Sequence, residues 1–101
     1  PAAGTPAAGT AHAIVTGGTA VTIITGPVQG CYVTNPSSAT DEGIAAAENA
    51  YLNPVTTATT TGNNTNVVLA PGQSYNCPPG MSTNLSFNAA TDGHALTVVK
   101  W

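Results

Sequence analysis

The chain has 101 residues, enough for one domain with a single core. Hydrophobic residues make up 42 % of it and charged residues only 5 %, against about a quarter in an ordinary soluble domain. Thr, Ser and Asn must therefore keep the surface wet, or neighbours must cover it. With a net charge of −3, one Lys and no Arg, there is no basic patch, which excludes phosphate-driven binding to nucleic acid or anionic membranes. No apolar run approaches the ~20 residues that cross a bilayer as a helix. The first residues lack a basic start and an apolar h-region; Pro1 is compatible with a cleaved signal peptide or with removal of an initiator Met.

Residues 1–10 are PAAGT written twice. Pro and Gly at this density, without large apolar residues, predict an extended arm over residues 1–11, ordered by a neighbouring subunit or by a groove on its own domain. Pro1, Thr5, Pro6 and Thr10 are its expected interface residues, together with the C-terminal Trp101. Residues 12–101 then form the folded domain.

Residues 12–15 and 19–25 read as two strands joined by a Gly17-Gly18 hairpin turn. In the second, Val21 and Ile23 share one face, and Ala20, Thr22 and Ile24 the other. Residues 31–34 form the next strand. Asn35-Pro36 breaks it, and a helix of one or two turns follows, capped by Ser38 or Thr40 with Asp41 and Glu42 near its positive end. Residues 48–53 return to strand, with Tyr51 as the expected core residue.

Residues 56–61 combine high strand propensity with polar side chains on both faces, the pattern of an edge strand. Residues 66–70 make a short apolar strand stopped by Pro71-Gly72. Leu85 and Phe87 alternate with Asn84, Ser86 and Asn88, the period of a strand with one buried face. Residues 94–101 form the last strand. Seven or eight short strands at close spacing predict an all-β domain, an antiparallel β-sandwich or small β-barrel.

Chemistry-bearing residues are few. Cys31 and Cys77 permit one disulfide or two separate core thiols, and neither has zinc-ligand spacing to a histidine. His12 and His94 lack a third convergent ligand, and a turn hydrogen bond after Asp92-Gly93 accounts for His94. Asp41, Glu42 and Glu48 are the one possible carboxylate cluster, for which capping and solvation suffice. No Gly-x-Ser-x-Gly elbow, P-loop or HExxH is present. No cofactor, metal or catalytic residue is expected. Asn63-Asn64-Thr65 and Asn84-Leu85-Ser86 match the N-glycosylation pattern, an expected coincidence in so Asn- and Thr-rich a chain. Tyr32, Tyr51, Tyr75 and Trp101 are the candidates for an aromatic platform or for core and interface packing.

The C-terminal third, VVLAPGQSYNCPPGMSTNLSFNAATDGHALTVVKW, resembles small virion accessory proteins of tailed bacteriophages. The matching residues are Leu69, Pro71, Gly72, Gln73, Ser74 and Tyr75, then Pro79 and Gly80, then Gly93, His94, Leu96, Thr97 and Val99. The earlier segments GPVQGCYVTNP and AAAENAYLNP look like the same type of protein. The resemblance implies a capsid decoration or cement protein with a β-sandwich or β-barrel fold and no catalytic residue. Its partners would be the major capsid protein and copies of itself as a homo-oligomer, on the capsid exterior. Ala95 and Leu96 depart from the family pattern of a cation after the His and an aromatic two residues beyond it, so no particular contact carries over. The alternative is a secreted or cell-surface carbohydrate-binding or adhesive β-module.

Overall fold

The computed structural model describes residues 7–8, 17–37, 48–61 and 65–101. Among them the chain is all-β and without a helix. Seven strands of three or four residues, and one of two, form two four-stranded antiparallel sheets. The strands are β1 (Ala7–Ala8), β2 (Val21–Ile24), β3 (Cys31–Thr34), β4 (Ala50–Asn53), β5 (Val67–Leu69), β6 (Ser74–Asn76), β7 (Leu85–Asn88) and β8 (Thr97–Lys100). The first sheet has the order β1-β8-β3-β6 and the second β2-β7-β4-β5. Only β4 and β5 are consecutive strands within one sheet; the chain otherwise crosses between layers, so almost every pairing is distant in sequence. This is a small β-sandwich.

Period-two patterning builds the core. In β3, Cys31 and Val33 face in while Tyr32 and Thr34 face out; in β7, Leu85 and Phe87 face in. Ile23, Ile24, Leu52, Leu69, Leu85, Phe87, Leu96 and Val98 form one continuous buried cluster between the sheets. At about 1.5–3 kcal/mol for each large apolar side chain taken from water, this cluster is the main favourable term in folding.

Several expectations are corrected. Ile23 and Ile24 are both buried rather than on opposite faces, because the β2–β7 register shifts between Thr22 and Ile24, and the bulge turns consecutive side chains inward. Gly17-Gly18 is a turn, and the strand after it, β2, pairs with β7. Residues 12–15 and the helix expected after Ser38 lie outside the described residues. Tyr51 sits on the outer face of its sheet, level with Asn88 and Val68; its neighbour Leu52 is the core residue.

Residues 56–61 are not an edge strand. They cross the outer face of the second sheet as an irregular strap held by side chains. Asn53 Oδ1 accepts from the backbone N–H groups of Val55 and Thr56, both at 2.9 Å, and Ser86 Oγ from that of Ala58 at 3.0 Å. Asn88 Nδ2 donates to the carbonyls of Ala58 and Gly18, and Asn66 Nδ2 to that of Thr59 at 2.9 Å. Carboxamides thus supply partners that a ladder would otherwise provide, which strand propensity cannot reveal.

The Pro71-Gly72 turn carries the chain from one sheet to the other. Gln73 N donates to Ala70 O, with Pro71 at the second position and Gly72 at φ 86° at the third, the arrangement of a type II turn.

Candidate interaction surface

Two places in the sandwich concentrate unusual side chains: a buried polar cluster at one end, and the outer face of the first sheet.

The cluster joins Asn35, just after β3, to Glu48, ahead of β4, and His94, ahead of β8. Asn35 Nδ2 donates to the carbonyls of Glu48 at 2.8 Å and Leu69 at 3.0 Å, which fixes the amide orientation. Its Oδ1 therefore faces His94 Nε2 at 2.7 Å as an acceptor, and Nε2 carries the hydrogen. The other ring nitrogen, Nδ1, lies 3.1 Å from Glu48 Oε1. Glu48 also accepts from Thr91 N and Thr91 Oγ1, at 3.0 and 2.8 Å. His94 is 1 % exposed and its ring tilts against Phe87 at 5.7 Å.

This arrangement resembles a catalytic triad only in composition. Both imidazole nitrogens are spent on protein partners, so neither is open to take a proton from a substrate. Among the described residues, no hydroxyl or thiol bonds to the ring. Chemically the cluster ties four chain segments together. It also corrects the reading of Glu48 as a solvated or capping acid and of His94 as a turn residue. The separations of 13 to 59 residues explain why no local signal announces it.

The outer face of the first sheet is different in kind. Cross-strand register aligns Val99, Tyr32 and Asn76 in one outward row, and Thr97, Thr34 and Ser74 in the next. Thr34 Oγ1 and Ser74 Oγ share a hydrogen bond of 2.8 Å. Trp101 continues the outward alternation beyond Val99. It is held by its backbone: its carbonyl accepts from Gln29 N and Gly30 N, and its N–H donates to Gly30 O at 3.0 Å. The indole lies over Gly30 so closely that a Cβ there would stand 2.6 Å from Trp101 Cζ2. Gly30 is glycine for that approach. Tyr32 and Trp101 are 38 % and 36 % exposed, two of the four large hydrophobic residues that are exposed among those described. None of these outward residues is charged.

The expected aromatic set therefore divides. Tyr32 and Trp101 lie on this face. Tyr75 turns inward beside Val33, where burial raises its hydroxyl pKa above the ordinary 10.0, and Tyr51 belongs to the other sheet. Cys31 and Cys77 form a disulfide, with Cα atoms 5.1 Å apart, at the β3–β6 boundary, where Cys77 N also donates to Cys31 O at 2.8 Å. Of the expected interface residues, only Trp101 is described; Pro1, Thr5, Pro6 and Thr10 lie outside the described residues, as do His12, Asp41 and Glu42. Of the two glycosylation-pattern asparagines, Asn84 is exposed and accepts from Gly26 N. Among the described residues no three His, Cys, Asp or Glu side chains converge as a metal group.

A shallow open cleft of about 460 Å³ lies on the opposite side, between the strap and residues 82–86. Apart from Val55, its walls are hydroxyl and amide side chains, including Thr22, Thr56, Ser82 and Asn84. It holds no titratable group. Compared with protein-family models, with curated proteins and with solved structures, the chain has no match.

Proposed function

We propose that this chain is a non-enzymatic structural protein of a virus particle, decorating or cementing the capsid through contacts with capsid subunits and with its own copies. The observation that carries the reading is the outer face of the first sheet, which no described segment crosses and where Tyr32, Val99 and Trp101 stand beside Asn76, Thr97, Thr34 and Ser74. Aromatic residues without neighbouring charges are what interface centres favour. Uncharged polar groups also lose less hydration on burial than ions do. The virus particle is the assembly implied by the phage-protein resemblance of residues 67–101. The test is attachment to purified particles that lack the protein. Wild-type protein is expected to bind them and to raise their resistance to mild denaturant, and Tyr32→Ala or Trp101→Ala to bind at least tenfold more weakly. Equal binding by both variants would remove this face from the proposal.

A second reading, an extracellular carbohydrate-binding or adhesive module, is favoured by the Cys31–Cys77 bond, because such bonds persist in oxidising compartments. In this reading the exposed rings of Tyr32 and Trp101 stack on the C–H faces of a sugar. Glycan-array binding that disappears in Tyr32→Ala would select this reading over decoration.

A further inference from the structure

The cleft between the strap and residues 82–86 has two pinned walls over a strand pair. Its floor includes Thr22 and Ser86, which face each other in the β2–β7 register. One wall is the strap, where Asn53 Oδ1 holds the N–H groups of Val55 and Thr56. The other is the segment ahead of β7, where Asn84 Oδ1 accepts from Gly26 N at 3.0 Å. Gly26 admits the close approach of this wall, since a Cβ there would stand 2.4 Å from Thr83 O. Thr83 Oγ1 donates to Pro54 O and so ties one wall to the other. The groups lining the cleft are largely unspent. The hydroxyls of Thr22, Thr56, Thr57 and Ser82 bond to no other described residue. Asn84 keeps both Nδ2 hydrogens and Ser86 its hydroxyl hydrogen, because each uses only its oxygen within the fold.

From this arrangement we infer that the cleft is a binding site for a neutral sugar residue. No residue lining it is charged, so a phosphate, carboxylate or ammonium ligand would give up hydration without gaining a counter-ion. An apolar ligand would cover hydroxyls and leave them without partners. A pyranose matches instead. Each of its hydroxyls both donates and accepts, as the Thr and Ser hydroxyls do, so every contact can form in either direction. Val55, 68 % exposed, adds an isopropyl group for the C–H side of the ring. The volume of about 460 Å³ lies within the ~300–1,000 Å³ of small-molecule sites. Because hydrogen bonds already pin both walls, binding orders little that is not ordered beforehand. The cleft is open and has no aromatic platform, so a single sugar binds weakly, with a Kd on the order of 1–10 mM. The inference goes beyond both readings above, since it uses the side of the sandwich away from Tyr32 and Trp101.

The experiment titrates isotope-labelled protein with the methyl glycosides of glucose, galactose, mannose and N-acetylglucosamine, to about 50 mM each, and follows backbone amide shifts by NMR. At least one glycoside is expected to give saturable shifts centred on Thr56, Thr57, Thr83 and Asn84. Glycerol at the same concentration, a polyol without the ring, should give only small linear shifts. Thr56→Val/Thr57→Val removes two hydroxyls and keeps the side-chain shape. Asn84→Asp keeps the acceptor for Gly26 N and removes the Nδ2 donors. Each variant should bind about tenfold more weakly or worse at an unchanged melting temperature, and Tyr32→Ala should bind as the wild type does. If no glycoside gives saturable shifts at these residues, or if glycerol matches the glycosides, the cleft is overturned as a sugar site. Saturable shifts at Tyr32, Val99 and Trp101 with none in the strap would overturn it in favour of the aromatic face. Unchanged affinity in the folded variants would overturn it as well, and the wild-type shift map decides the matter where a variant does not fold.

Discussion

The two outer faces of the sandwich start from the same plan and end differently. Each belongs to a four-stranded antiparallel sheet with its apolar side turned inward. On the second sheet, the outward positions of β4 and β7 include Asn53, Ser86 and Asn88, and their side chains fasten the strap of residues 54–61 across the sheet. On the first sheet, the outward positions include Tyr32, Val99 and Trp101, and no described segment crosses them. A carboxamide both donates and accepts, so it can hold foreign backbone in place. A tyrosine or tryptophan offers one polar group on a large apolar ring and a valine none, so these residues present mainly apolar area. One face is crossed by a strap of its own chain; over the other, no described segment lies.

The difference can be broken from either side. The largest effect is expected at the flank of the first sheet. Cys31→Ala/Cys77→Ala opens a 46-residue loop beside β6 and should cost about 4 kcal/mol in a denaturant titration. On the second sheet, Asn53→Ala removes the acceptor for two backbone N–H groups and a donor to Thr65 and Asn66. It should cost about 2–3 kcal/mol and speed amide exchange at Val55 and Thr56, with β3 and β8 unchanged. A loss spread evenly over both sheets would contradict the strap as a separate feature.

Smaller changes sharpen the same contrast. Gly30→Ala drives a methyl into the Trp101 indole. It should shift the tryptophan fluorescence maximum to the red and cost about 1–2 kcal/mol. Tyr32→Ser should change stability by no more than about 0.5 kcal/mol, since the side chain is exposed, yet weaken attachment in the particle assay. The least effect belongs to Tyr75. Its raised pKa means that the folded state holds the phenolic proton more tightly than the unfolded chain does. Its contribution is therefore fully present below pH 10 and declines as pH rises through the folded value. Spectrophotometric titration should show a tyrosine ionising above the ordinary pKa of 10.0, and Tyr75→Phe should abolish that step.

Much of the fold was legible in local patterns. The alternation of Cys31-Tyr32-Val33-Thr34 and of Leu85-Ser86-Phe87 names the strands and their inward residues, because side-chain direction in a strand has a period of two. Pro71-Gly72 likewise announces its turn. Patterns failed where one tertiary partner overrides them. Ile24 is turned in by a bulge against β7, Tyr51 is displaced from the core by Leu52, and residues 56–61 bond to Asn and Ser side chains instead of to a strand. The aromatic platform was legible only as a set of four, since exposure depends on which face each strand presents.

The sequence by itself determined an all-β domain without a basic surface and with an apolar, uncharged character, because composition and period-two alternation act locally. Only the tertiary structure decided that Cys31 meets Cys77, that Asn35, His94 and Glu48 close on one another, and that Tyr32 and Trp101 share an open face while Asn53 and Asn88 lie beneath a strap. These are pairings across tens of residues, set by how the strands alternate between two sheets. Nothing in the local chemistry of either partner specifies the other.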